Sequence, residues 1–237
     1  MEWNPLELAQ EQFLRTQYPI PHLYDFFLCD YALCGALPMR QYVPERATYS
    51  LDVYIAFEDA DRNHKQLIPF ARETDYFSDT HRYYILKRNS IGLSVSACKD
   101  HWINQALKDA QTHLDPISQE PKLTFEWLVL SKMSHGRRQD FMDCARLISR
   151  ASQVEIDATK DLLEEWMPKA LPELRKLYEV GKLERLLSKA YKNETSRLND
   201  WQCIAHHFMN NVDKRDIDTF SIPSSWDEIL KNYSYTL

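Results

Sequence analysis

The chain has 237 residues, enough for one large domain or two small ones with a sizeable core. Apolar residues make up 44% and charged residues 27%, with a net charge of −6. That is a globular composition, and it excludes a general polycationic coat for nucleic acid while leaving room for a local basic cleft. Five scattered cysteines, an odd number, argue for reduced thiols rather than a disulfide framework. No run approaches the ~18 apolar residues of a membrane span. The start, MEWNPLELAQEQ, lacks the basic and apolar blocks of a signal peptide. The expectation is a cytoplasmic protein with no membrane partner.

In chain order, Leu6, Leu8, Phe13 and Leu14 predict an amphipathic helix over residues 6–17, stopped by Pro19 and Pro21. Leu23 to Leu28 predicts a helical turn. Tyr31 to Cys34 predicts a short strand running into Gly35, with a helix beginning over Leu37 to Gln41. Ser50 to Phe57 predicts a second strand. Alternation places Leu51, Val53 and Ile55 on one face and Ser50, Asp52 and Tyr54 on the other. Glu58 to Asn63 reads as a polar loop, and Lys65 to Arg72 as a short helix or turn. Arg82 to Lys87 and Ile91 to Cys98 read as two strands of a hairpin turning at Asn89-Ser90. Asp100 to Ala110 returns to helical spacing.

From Thr124 the chain reads as helical throughout. Thr124 is the expected cap of the first helix, and Gly136 separates it from a second over Arg138 to Ser149. Further helices are predicted over Val154 to Met167, Leu174 to Ala190 and Thr195 to Met209, with Ser224 capping a last short one. The predicted organisation is α/β: a mixed-sheet domain over 1–118 followed by a helical domain over 119–237.

Two constellations carry the chemistry. The first is CGALPMRQYVPERATYSLDVYIAF, Cys34 to Phe57. It resembles the nucleotidyltransferase-fold signature of a small-residue turn followed by Arg-x-Thr-x-Asp-x-Asp, and looks most like the minimal branch that includes the AbiEii-type abortive-infection toxins. Gly35-Ala36 stands at the turn, Arg46 and Thr48 at the Arg-x-Thr step, and Asp52 at the second aspartate. Ser50 stands where the first aspartate belongs. The second constellation is LSKMSHGRRQDFMDCARLI, Leu130 to Ile148, which resembles that branch's downstream lysine and Arg-x-Asp-x-x-Asp. Lys132, Arg138, Asp140 and Asp143 match it. The resemblance covers about residues 28–148.

The resemblance implies a nucleotidyltransferase-like domain that transfers a nucleotide from a nucleoside triphosphate to RNA or protein, with a toxin-type role and an antitoxin-like partner. It implies Asp52, Lys132 and Asp140 as catalytic residues and Asp52 as metal ligand. Gly35, Ala36, Arg46, Thr48, Ser50, Arg138 and Asp143 would hold the nucleotide. Nucleotidyl transfer rests on positioning and charge neutralisation, and two Mg²⁺ ions held by hard oxygen ligands usually supply it. The third metal position falls on the outward face of Ile91 to Cys98, which carries Ser94 and Ser96. With one carboxylate where three belong, Mg²⁺ binding is expected to be weak or absent. The alternative is a catalytically inactive module on the same scaffold that binds a nucleotide, a protein or a nucleic acid. Ser94 and Ser96 are expected to face the same way as Asp52, and the two constellations to line one cleft.

Periodicity alone also allows Asp52 to be a solvent-facing strand residue. It allows Asp140 and Asp143 to belong to a solvated helix face with Arg137–Asp140 and Asp143–Arg146 pairs. Arg82, Lys87, Arg88, Arg137 and Arg138 are a minor candidate set for RNA phosphates. No Cys-x-x-Cys, P-loop or Gly-x-Ser-x-Gly elbow is present.

Overall fold

The computed structural model describes residues 23–43, 50–78, 80–86, 92–116 and 118–190. The helices expected over 6–17 and 195–209, the Ser224 cap, Arg46, Thr48 and the turn at Asn89-Ser90 lie outside the described residues. The chain divides into two compact units between Thr124 and Phe125. Among the described residues, no helix is long and apolar enough to cross a membrane.

The first unit is mixed α/β. Its five strands are β1 (Tyr31–Cys34), β2 (Ser50–Ala56), β3 (Ala71–Ser78), β4 (His81–Leu86) and β5 (Gly92–Cys98), in the sheet order β1-β2-β5-β4-β3. The central pair, β2 and β5, is parallel, and the other three neighbouring pairs are antiparallel. Three short helices join them: α1 (Ala36–Met39), α2 (Ala60–Leu67) and α3 (Ile103–Ala110).

Alternation decides which side chains enter the core. Leu33, Leu51, Val53, Ile55, Tyr84, Leu86, Leu93, Val95 and Ala97 all fall on the back face. They pack there with Leu23, Phe27 and Leu67. Nine such side chains, at ~1.5–3 kcal/mol each when fully buried, are the main stabilising force of the sheet. The front face is covered near β1 and β2 by α3. There Trp102 stands edge-on to Tyr54 with ring centroids 6.3 Å apart.

Two expectations are corrected. Glu58 to Asn63 is not a loop: a 3-10 turn over Phe57–Asp59 leads into α2. Its polar sequence hides the helix because only Asn63 and Leu67 are buried. Asn63 accounts for its burial by hydrogen bonds: Oδ1 accepts from Leu28 N at 2.9 Å, and Nδ2 donates to the Asp59 carbonyl at 2.9 Å. The helix or turn expected over Lys65 to Arg72 ends at Phe70, and Ala71–Ser78 form the edge strand β3. ARETDYFS lacks an apolar face because an edge strand can be wet on both sides, and its charges discourage a further strand from pairing.

The outer edge of β1 is closed by residues 121–123, which bond it on both sides of Leu33: Leu33 N donates to Pro121 O at 2.7 Å, and Leu123 N to Leu33 O at 3.0 Å. Glu120 ties this strap down by accepting from Leu23 N at 2.9 Å and from the Tyr31 hydroxyl. Residues 119–124 therefore pack with the sheet unit. Burial, then the Glu120 hydrogen bond and charge, push the Tyr31 phenol well above its ordinary range. A folded value above the unfolded one means this contribution is complete below about pH 10 and fades as pH rises beyond it. Cys29 and Cys98, pushed up to about 12 by burial, act in the same direction. Stability measured by urea denaturation should therefore fall between about pH 9 and pH 11. Tyr31→Phe should fall less steeply, and equal slopes would refute the assignment.

The second unit is helical: α4 (Phe125–His135), α5 (Arg138–Ile148), α6 (Gln153–Trp166) and α7 (Leu171–Ala190). Helix α4 is buried nearly all round, from Phe125 to Met133, as befits the central helix of a small bundle. A capping box starts α6: Ser152 Oγ accepts from Glu155 N, and Glu155 Oε2 accepts from Ser152 N at 2.7 Å. Helices α5 and α7 approach closely at Gly181, where an added Cβ would lie 2.5 Å from Ser149 Cβ.

Candidate functional site

Each unit presents one constellation, and each is described by itself. In the first unit, the sheet register builds the site. Reading across the strands, Cys34, Asp52, Ser94, Tyr83 and Asp75 are aligned partners and share the front face. Beside that row run Ser50 and Gly92 on one flank, and Tyr54, Ser96 and His81 on the other. The expectation that Ser94 and Ser96 face the same way as Asp52 therefore holds.

Asp52 is half-buried and packs against the Gly35 turn. Gly35 has φ +67°, and a Cβ there would lie 2.8 Å from both Cβ and Cγ of Asp52 and nearer still to Oδ2. The glycine is needed twice, for its backbone angle and for the space the carboxylate occupies. Gly35→Ala should cost about 2 kcal/mol or more. A denaturant midpoint indistinguishable from the parent's would contradict that close approach.

Ser50 Oγ donates to Asp52 Oδ1 at 3.2 Å, so a hydroxyl bonds the carboxylate. Ser94 Oγ pairs with His81 Nε2 at 2.8 Å. The Tyr83 ring lies across Gly92, where a Cβ would fall 2.6 Å from its Cζ. No group of three His, Cys, Asp or Glu able to hold a metal occurs among the described residues. Asp75, in the same row, is three strands from Asp52, or roughly 14 Å at ordinary strand spacing. One carboxylate with hydroxyl neighbours does not fit a two-Mg²⁺ clamp. Asp61 pairs with Arg82 at 3.4 Å on the back face and supplies no front-face ligand.

His81, Tyr83 and Gly92 are site neighbours that the sequence reading did not single out. A signal existed for each. Alternation in HRYYIL sets His81 and Tyr83 opposite Tyr84, and a glycine inside a strand marks a close approach.

In the second unit, a two-residue link joins α4 to α5. Gly136, with φ +63°, ends α4 by donating its N–H to Lys132 O at 3.1 Å. The link sets the last turn of α4 beside the first turns of α5. Lys132 Nζ lies 2.7 Å from Asp143 Oδ2 and 3.7 Å from Asp140 Oδ1. Arg137 grips Asp140 through Nε at 2.6 Å and Nη2 at 3.3 Å. Gln139 Nε2 donates to Asp143 Oδ1 at 3.1 Å. Lys132, Asp140 and Asp143 are only 7%, 3% and 0% exposed. Two cations and two carboxylates balance.

This is a buried network rather than the solvated face that spacing alone allowed. The Arg137–Asp140 pair is present. Arg146 pairs with Glu184 on α7, Nε to Oε1 at 2.6 Å. Arg138 opens α5, and its side chain lies outside the described atoms. Cys144, buried beside these charges, has its thiol pushed well up by burial. Asp140 and Asp143 share one helix face, as their i, i+3 spacing predicts, and the arrangement keeps the Lys132 charge engaged by carboxylates inside its own unit.

No known protein-family signature matches the chain. No curated protein matches it either.

Proposed function

We propose that the chain is a nucleotidyltransferase-like protein with a degenerate metal site, which binds a nucleoside triphosphate and transfers its nucleotide to RNA or protein slowly. The observation that carries this reading is the alignment of Asp52 with Ser94 on the front face, packed against the Gly35 turn. That alignment sets the Gly35 turn, the Asp52 carboxylate, Ser50 and Ser94 beside one another, which supports the reading. Asp52 would orient the phosphates' counter-ion, while the Gly35-Ala36 backbone, with Arg46, Thr48 and Ser50, would border the phosphates. Lys132, Asp140, Asp143 and Arg138 would serve as the downstream phosphate motif. A toxin-type role with an antitoxin-like partner follows from the resemblance, and a cytoplasmic location from the scattered cysteines; both belong to the proposal.

The second reading is an inactive nucleotidyltransferase-fold module that binds a nucleotide, protein or nucleic-acid partner. Two observations favour it: the neutral side chains at Ser50 and Ser94, and the engagement of Lys132 by Asp143 and Asp140. Calorimetric titration with each nucleoside triphosphate, beside a labelled-nucleotide transfer assay on total RNA and protein, separates them. Binding with slow transfer that Asp52→Ala abolishes supports the first reading. Binding without transfer supports the second, and no triphosphate binding rejects the first.

A further inference from the structure

We infer that Ser94 is itself a nucleophile and that the chain transfers a nucleotidyl group to its own Ser94. This inference rests on the triphosphate-binding reading above.

Ser94 Oγ and His81 Nε2 stand 2.8 Å apart, the separation of a hydroxyl and the base that activates it. The neighbouring serines differ. Ser50 directs its hydroxyl to the Asp52 carboxylate, and Ser96 is aligned with His81 across the adjacent strand. The His81 ring lies against Phe77, with ring centroids 5.3 Å apart. Asp75 is aligned with Tyr83, so alternation along β3 brings Phe77 onto the face that carries His81 and Tyr83.

Ser94 is only 8% exposed, which limits hydrolysis of an ester formed there. It is the aligned partner of Asp52, about one strand spacing away. A triphosphate whose counter-ion Asp52 orients, as proposed above, would have its α-phosphorus beside the strand that carries Ser94. The residue that fails as a metal ligand is suited to be an acceptor.

The step balances without a redox change. In the tautomer protonated at Nδ1, His81 Nε2 takes the Ser94 hydroxyl proton as Oγ attacks the α-phosphorus. A new Oγ–P bond forms, and the bond from the α-phosphorus to the bridging oxygen breaks. Pyrophosphate leaves with that electron pair, and the proton on His81 passes to pyrophosphate or solvent. The product is a phosphodiester linking Ser94 to the nucleoside.

The test uses the full chain, each α-labelled nucleoside triphosphate with Mg²⁺, intact-mass measurement, peptide mapping and parallel calorimetry. The expected result is one nucleoside monophosphate per chain, mapped in the unmodified protein to the peptide containing Ser94. Ser94→Ala should lose the label, and His81→Ala should acquire it about a hundredfold or more slowly. A triphosphate with a methylene bridge between the α and β phosphorus atoms should bind without labelling. Mapping on the parent chain keeps the test valid should either variant fail to fold. Label at any other residue overturns the inference. Triphosphate binding without label overturns it while leaving the triphosphate-binding reading intact. Absence of binding overturns both.

Discussion

Lys132→Met is expected to destabilise the second unit by about 3–5 kcal/mol, because it leaves the Asp143 carboxylate buried without its cation. Lys132 is a close match in size to methionine, so little of the loss would come from packing. Asp140 keeps Arg137 and is affected less. Asp143 is fully buried, and the neutral Gln139 amide beside it cannot replace the charge of the lost ammonium. The double substitution Lys132→Met with Asp143→Leu removes both charges, and it should recover most of the loss, since apolar replacement of a buried pair is often neutral. Guanidinium denaturation followed by tryptophan fluorescence reads this directly, because Trp127 is buried within the unit against Trp166. A single substitution costing under about 1 kcal/mol would mean that the pair behaves as a surface contact.

The second large effect concerns metal affinity. Ser50→Asp with Ser94→Asp should create a site for Mn²⁺ or Mg²⁺ beside Asp52, as hard carboxylate oxygens replace neutral hydroxyls. Register makes Ser94 the better choice than Ser96, since Ser94 is the residue aligned with Asp52. Restoring a metal's charge stabilisation is worth several kcal/mol, on the order of a thousandfold in rate. The double variant should therefore bind Mn²⁺ measurably by calorimetry and raise transfer to an external acceptor by about that factor. It should also lose self-labelling at position 94. Unchanged metal binding would show that the front face cannot be completed by these two positions.

The parts of the fold legible in the sequence were those where one face of an element is buried. Leu51, Val53 and Ile55, then Leu93 and Val95, announce β2 and β5, and alternation between them places Ser94 with Asp52. Elements wet on most sides were missed. Strand β3 has Arg72, Glu73 and Asp75 where an apolar stripe would be needed, and α2 buries only Asn63 and Leu67. The second constellation was legible in spacing but not in environment. Lys132, Asp140 and Asp143 carry the same charges on a wet face as in a dry network. Only the short Gly136-Arg137 link, folding α5 back along α4, turns them inward. Arg146 likewise bonds Glu184, 38 positions away, a partner that helical spacing does not announce.

The strand order has a consequence for assembly. Strands β1 and β2 form one antiparallel ladder between near neighbours, and β3, β4 and β5 form another. Among the described residues, the parallel ladder is what joins them, pairing Ser50 with Gly92 and Asp52 with Ser94 across some forty positions. Loop closure makes such distant pairing the slowest to repay its entropy. Loop-closure entropy predicts that the two halves of the front-face row form in separate ribbons and meet when the central ladder closes. A one-residue error in that closing would turn Ser94 to the back face and Leu93 to the front. The apolar stripe on the back of the sheet therefore also proofreads the alignment of the polar residues on its front.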